Sequence, residues 1–114
     1  MSRHIILYGE QAYNPFVALA RDLLNRYNIP FTEVEARKDK AVAAQVTTLV
    51  GELLLPTLLL AEPNETSPYT PADAPHPDRP LTGQDRGSLI STPNNRQLEN
   101  WLHRHKFLDK PYKR

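Results

Sequence analysis

Side chains able to do chemistry near neutral pH are sparse in this sequence. Histidines stand at positions 4, 76, 103 and 105, and there is no cysteine. His103 and His105 are two apart, so on a helix they face different sides instead of converging on one ligand. The acidic residues are scattered without the spacing of a metal-ligand set, and no metal site is expected. No Gly-rich phosphate loop, nucleophile elbow or pair of catalytic carboxylates is present. The absence of cysteine removes disulfides, thiolate nucleophiles and thiolate metal ligands together.

The composition bounds what can carry a site. A chain of 114 residues, 39% hydrophobic and 24% charged with a net charge of +1, fits one soluble globular domain with one modest core. It lies outside the low-hydrophobicity, high-charge class that stays disordered. The near-zero charge gives no argument for a nucleic-acid or membrane partner. No apolar run approaches the roughly 18 residues of a membrane span. The N-terminal apolar run is too short for a signal peptide, so a cytoplasmic location is expected.

Periodicity then places the elements. Residues 4–8 (HIILY) read as a buried strand, followed by a loop that ends at Asn14, a suitable N-cap. Pro15 suits the first turn of a helix. Phe16, Leu19, Ala20, Leu23, Leu24 and Tyr27 would form its apolar face, and the helix should end near Asn28, stopped by Pro30. Residues 31–35 alternate apolar and polar as a half-buried strand. Asp39 caps a second helix, with Val42, Val46, Leu49, Val50 and Leu53 at helical spacing and an end around Gly51. Pro56 must sit at a strand's first residue or at an edge, which puts the next strand at 57–61.

Residues 62–86 differ in kind, with Pro63, Pro68, Pro71, Pro75, Pro77 and Pro80 among polar residues and no apolar period. They read as an extended, polyproline-like or disordered insertion, and Pro68-Tyr69-Thr70-Pro71 is a P-x-x-P pattern within it. Residues 87–91 are a short strand. Thr92 before Pro93 reads as an N-cap and first helical residue, with Leu98, Trp101, Leu102 and His105 on one face of the last helix. The basic residues 103–106 fall in its last turns, and residues 109–114 should fray. The result is one α/β domain over residues 1–114. Its order is βαβαββα, with a four-stranded mixed sheet, helices on both faces and a Pro-rich insertion before the last strand.

This order, with Leu54-Leu55-Pro56-Thr57 at a strand start, resembles the thioredoxin fold and looks most like a glutaredoxin. Ile5-Ile6-Leu7-Tyr8, its loop and the helix closed by Ile29-Pro30-Phe31 resemble the family's first strand–helix–strand unit. Leu54-Leu55-Pro56-Thr57 resembles its T-V-P-T segment, whose proline is cis. Gly87-Ser88-Leu89-Ile90-Ser91-Thr92-Pro93-Asn94-Asn95 resembles its last strand and helix start. The resemblance covers nearly all of the chain outside the insertion.

At the active site the resemblance breaks. The slot of the family's Cys-x-x-Cys holds Tyr13-Asn14-Pro15-Phe16, and Glu10 stands where glutaredoxins often carry a lysine. Disulfide exchange needs a thiolate, so oxidoreduction by this chain acting alone is excluded. What the resemblance still implies is a ligand groove. The backbone of Leu55, before a cis Pro56, would pair with a peptide or with glutathione. The helix start at Pro93-Asn94-Asn95, with Thr92 as its cap taking one donor, would offer backbone N–H groups to a carboxylate. Glu10, Tyr13, Asn14, Pro15 and Phe16 would flank that groove. The leading expectation is a non-catalytic binding module for a peptide, a glutathione-like thiol or a partner protein. The alternatives are a glutathione-dependent transferase using the Tyr13 hydroxyl, and a structural or interaction protein acting through the insertion or an exposed edge. Glutathione is the one cofactor with any support, and no catalytic residue is assigned.

Overall fold

The computed structural model describes residues 3–66 and 68–109. Along the chain run β1 (His4–Gly9), α1 (Pro15–Arg26), β2 (Thr32–Glu35), α2 (Lys40–Val50), β3 (Thr57–Ala61), β4 (Leu89–Ser91) and α3 (Asn95–Arg104). The four strands form one sheet in the order β2-β1-β3-β4. β1 lies parallel to β2 and antiparallel to β3, and β3 lies antiparallel to β4. This is the topology of a thioredoxin-like fold, and it carries the expected cis bond between Leu55 and Pro56.

Both faces of the sheet are covered, which is why β1 and β3 read as continuous apolar runs instead of alternating. Ile5, Leu7, Leu58, Leu60 and Ile90 meet Ala20, Leu23 and Leu24 of α1 and Leu98, Trp101 and Leu102 of α3. The intervening residues Ile6, Tyr8, Leu59 and Leu89 face Val46 and Val50 of α2. The alternating pleat thus sorts one apolar run between two cores.

Local signals set the helix ends. Asn14 caps α1 by accepting from the N–H groups of Phe16 and Val17 at 3.0 and 3.3 Å. Asp39 does the same for α2 through Ala41 and Val42. Gly51 closes α2 at φ 113°, in the left-handed region that glycine occupies without strain.

The structure corrects two features of the sequence reading. The buried stripe of α1 is Val17, Ala20, Leu23 and Leu24, while Phe16 and Tyr27 are 43% and 41% exposed. Val17 packs inward because Gly9 leaves room for it: a Cβ on Gly9 would stand 3.0 Å from a Val17 methyl. The second correction concerns α3. It is capped by Asn94, not Thr92, which has a left-handed φ of 46° and lies outside the helix with Pro93. A capping box explains the choice: Asn94 accepts from the Gln97 N–H at 2.8 Å, and Gln97 Oε1 accepts from the Asn94 N–H at 2.9 Å. A cap at Thr92 would put Asn95 at the third helical position, where its side chain is too short to reach back.

Residues 62–86 form no helix or strand among the described residues, and hydrogen bonds to the sheet set their path. Past the end of β4, Pro68 bridges to Ala61, and the Tyr69 N–H donates to the Leu60 carbonyl at 2.8 Å. Thr70 engages Ser88 through its N–H, hydroxyl and carbonyl. The P-x-x-P backbone is therefore used internally. Further on, Gly83 N–H reaches the Ser91 carbonyl at 2.6 Å and Arg86 N–H reaches Leu89 at 2.9 Å, so the insertion lines the outer edge of β4. Of the terminal segment 109–114, all but Asp109 lies outside the described residues.

Candidate functional site

The corner that would hold a redox centre is built around Asn14. Its side-chain oxygen caps α1, and its Nδ2 donates to Glu10 Oε2 at 2.9 Å and to the Leu55 carbonyl at 3.1 Å. An Asn amide has two acceptor sites and two donors, and here all four are used. Glu10, with a side chain only 12% exposed, accepts in turn from Arg37 Nε at 3.0 Å. One polar chain thus runs Arg37–Glu10–Asn14–Leu55 and binds the loop after β1 to the segment before β3. Beyond it, the Thr92 N–H donates to the Pro56 carbonyl at 2.6 Å, which brings the start of the α3 segment to the same corner.

This geometry brings together most of the residues singled out from sequence and changes the role of several. The N–H groups at the start of α1, which in a redox site face an anion, are closed by Asn14. Glu10 braces Asn14 instead of standing free. Leu55 is buried at 6% exposure and its carbonyl already accepts a hydrogen bond. Its N–H has no hydrogen-bond partner among the described residues. At α3, Asn94 spends its side chain and its N–H on the capping box. Gly83 of the insertion lies against the Gln97 side chain, so closely that a Cβ there would stand 2.4 Å from Nε2. Asn95 follows at the first helical position, and its Oδ1 is buried without a partner among the described residues.

Two aromatic rings remain outward. Tyr13 is 86% exposed and Phe16 is 43% exposed, on either side of Asn14 and Pro15. A shallow cavity of about 200 Å³ lies beside Tyr13, lined by Glu10, Gln11, Asn14, Val17 and Arg21 among others. The loop that carries Tyr13 is held from behind by Glu35. That carboxylate accepts from the N–H groups of Gln11, Arg37 and Lys38, and the Lys38 bond above all draws it below the usual carboxylate range. On the α2 face of the sheet, Tyr8 is buried with no partner for its hydroxyl among the described residues, and burial raises its pKa.

Sequence reasoning missed Arg37 and Glu35, the charges that set the loop. Their separation from Glu10 and Gln11 along the chain hides the pairing, which exists only because β1 and β2 lie parallel. It also missed Gln97, although Asn94-x-x-Gln97 is a capping-box pattern visible in the sequence.

Among the described residues no helix is long and apolar enough to cross a membrane. No protein-family model matches the chain, and no curated protein matches it. The chain is placed by its topology: a small α/β domain with βαβαββα order, a thioredoxin-like mixed sheet and no cysteine.

Proposed function

We propose that this chain is a glutaredoxin-like binding module without thiol chemistry, and that it docks an apolar segment of a peptide or partner protein on Tyr13 and Phe16. The carrying observation is the exposure of two large aromatic rings, Tyr13 on the loop and Phe16 in the first turn of α1, beside a saturated polar network. Aromatic side chains give much contact area for little ordering entropy, and they dominate binding energy at protein interfaces. A loop already fixed by Asn14, Glu10 and Glu35 loses little further freedom on binding. The same network weighs against glutathione as the ligand. Asn14 takes the Leu55 carbonyl that the tripeptide backbone would use, and the capping box takes the Asn94 N–H that its carboxylate would use.

Panning a random peptide library against the chain tests this reading. Apolar peptides should be enriched, should shift the backbone amides of residues 9–16, and should lose at least tenfold in affinity to Tyr13→Ala with Phe16→Ala. Selected peptides that bind the double variant unchanged would overturn it. A parallel titration with reduced glutathione should leave residues 55–57 and 92–96 unshifted at millimolar concentration. Shifts confined to those residues would replace the aromatic site with a retained glutathione groove.

A further inference from the structure

The sheet ends on two strands, and the chain protects them differently. β2 carries Thr32, Glu33, Val34 and Glu35, and no described residue pairs with its outer side. Its own charges guard it. A two-fold pairing centred on Val34 would set Glu33 against Glu35 of a second copy, and like charges directly opposite repel. β4 has no such protection in its own residues, since Leu89, Ile90 and Ser91 are uncharged and buried. Left bare, this edge would offer unpaired backbone groups on an apolar strand, the pattern that invites pairing with another chain.

The proline-rich insertion covers that edge in two pieces. At the end of β3, where β4 does not reach, Pro68 bridges Ala61 and the Tyr69 N–H donates to the Leu60 carbonyl at 2.8 Å. Along β4, the Gly83 N–H donates to the Ser91 carbonyl at 2.6 Å and the Arg86 N–H to the Leu89 carbonyl at 2.9 Å. Asp85 bridges Ile90 between them in antiparallel sense, so the outer side of β4 accepts an antiparallel partner. A cover that was itself a strand would only move the open edge outward, and this one cannot do so. From Pro68 to Pro80 no more than three residues separate successive prolines, and a proline has no N–H to offer a further strand. Beside β4 the extended run is confined to residues 84–86, because Gly83 and Gly87 take left-handed φ values of 77° and 78°.

We propose that the insertion is an edge guard and that the partner it keeps away is a second copy of this chain. With residues 83–86 in place, β4 is closed. With them displaced, two β4 strands pair antiparallel about a two-fold axis, each offering the same surface to the other. A pairing centred on Ile90 sets Leu89 against Ser91 and brings no like charges together, which is why the second copy joins at β4 and not at β2.

Sedimentation velocity together with amide hydrogen exchange tests the guard. Gly83→Pro removes the N–H that reaches Ser91 and cannot adopt the left-handed φ, so it detaches the segment without altering a core side chain. Arg86→Met, which frees the same segment by withdrawing its side-chain anchor, is the second variant. Either variant should self-associate at least tenfold more tightly than the unchanged chain, which should stay monomeric where they dimerise. The N–H groups of Leu89 and Ser91 share the outer side of β4 with the covered carbonyls. In the dilute variants they should lose protection and regain it as the dimer forms, while β1 keeps its own throughout. A variant that opens these amides and remains monomeric, a dimer in which they stay open, or an unchanged chain that dimerises equally well would each overturn the proposal. So would protection of Leu89 and Ser91 that persists in both variants at every concentration.

Discussion

The corner around Asn14 and the insertion around Arg86 solve one problem in opposite ways. Each must fix an irregular segment against the sheet. At the corner, one neutral amide does so with all four of its hydrogen bonds, and two outward aromatic rings are left over. In the insertion, a nearly buried guanidinium does so by donating to two backbone carbonyls, with no carboxylate in its hydrogen-bond set. Burial there lowers the Arg86 pKa, and Asp73 only partly opposes the shift. The difference teaches how far along the chain each segment finds its hold. The corner is closed by a neutral amide and by the Arg37–Glu10 pair, and it leaves Tyr13 and Phe16 outward. The insertion rests on a nearly buried guanidinium whose acceptors lie on Asp73 and on Val50, so its hold depends on the packed end of α2.

Substitutions can sharpen that contrast. Arg86→Met should have the largest effect, a loss of about 2–3 kcal/mol, because it leaves the Val50 and Asp73 carbonyls without their charged donor. Urea unfolding would measure it, and Arg86→Lys should recover only part, since a single ammonium lacks the spread donors of the guanidinium. An Arg86→Met chain as stable as the unchanged one would mean that the insertion is held by its backbone bonds alone. Asn14→Ala should cost about 1–2 kcal/mol through the lost helix cap. Asn14→Ser keeps a capping oxygen but not the donor to Leu55, so the gap between the two variants measures the bridge.

Effects at the surface should be smaller. Arg21 and Glu33 form a two-bond pair, but their side chains are 39% and 35% exposed, and a double-mutant cycle should give under about 1 kcal/mol. The Arg21 hydrogen bond is the chief cause of the lowered Glu33 pKa. Its contribution is therefore complete above the ordinary carboxylate value and fades as pH falls through the lowered one. The pair should also weaken with added salt. Smallest of all, Tyr13→Ala should change stability by less than about 0.5 kcal/mol, because the side chain is almost wholly exposed. Destabilisation beyond 1 kcal/mol would make the ring a structural element and undermine its role as a docking surface.

The legible and illegible parts of this chain divide by distance along it. Asn14, Asp39 and Gly51 act on residues two to four positions away, and their roles are readable from residue type alone. The Pro15 start and the strand at 57–61 belong to the same class. In α1, Phe16 and Val17 both fit a helical period, and Val17 takes the inward place in the space that Gly9 leaves. Thr92 and Asn94 are both good caps by type, and the Gln97 partner selects Asn94. The insertion's path had no local signal. It rests on Arg86 reaching Val50, 36 residues away, and on Ser88 reaching Thr70, 18 away.

By itself the sequence determined the order of the elements, the ends of α1 and α2, and the loss of thiol chemistry, because each depends on residue identity or on neighbours within a turn. It also specified which strands would be buried, since an unbroken apolar run cannot be left half in water. The tertiary structure alone decided that Asn14 would close on Leu55, 41 residues on, that Glu10 would serve as a brace, and that residues 83–86 would lie along β4. Those outcomes depend on which groups the packed sheet and helices bring within hydrogen-bond reach. Residue types say what a side chain can bond. Only the assembled fold says which partner stands three ångströms away.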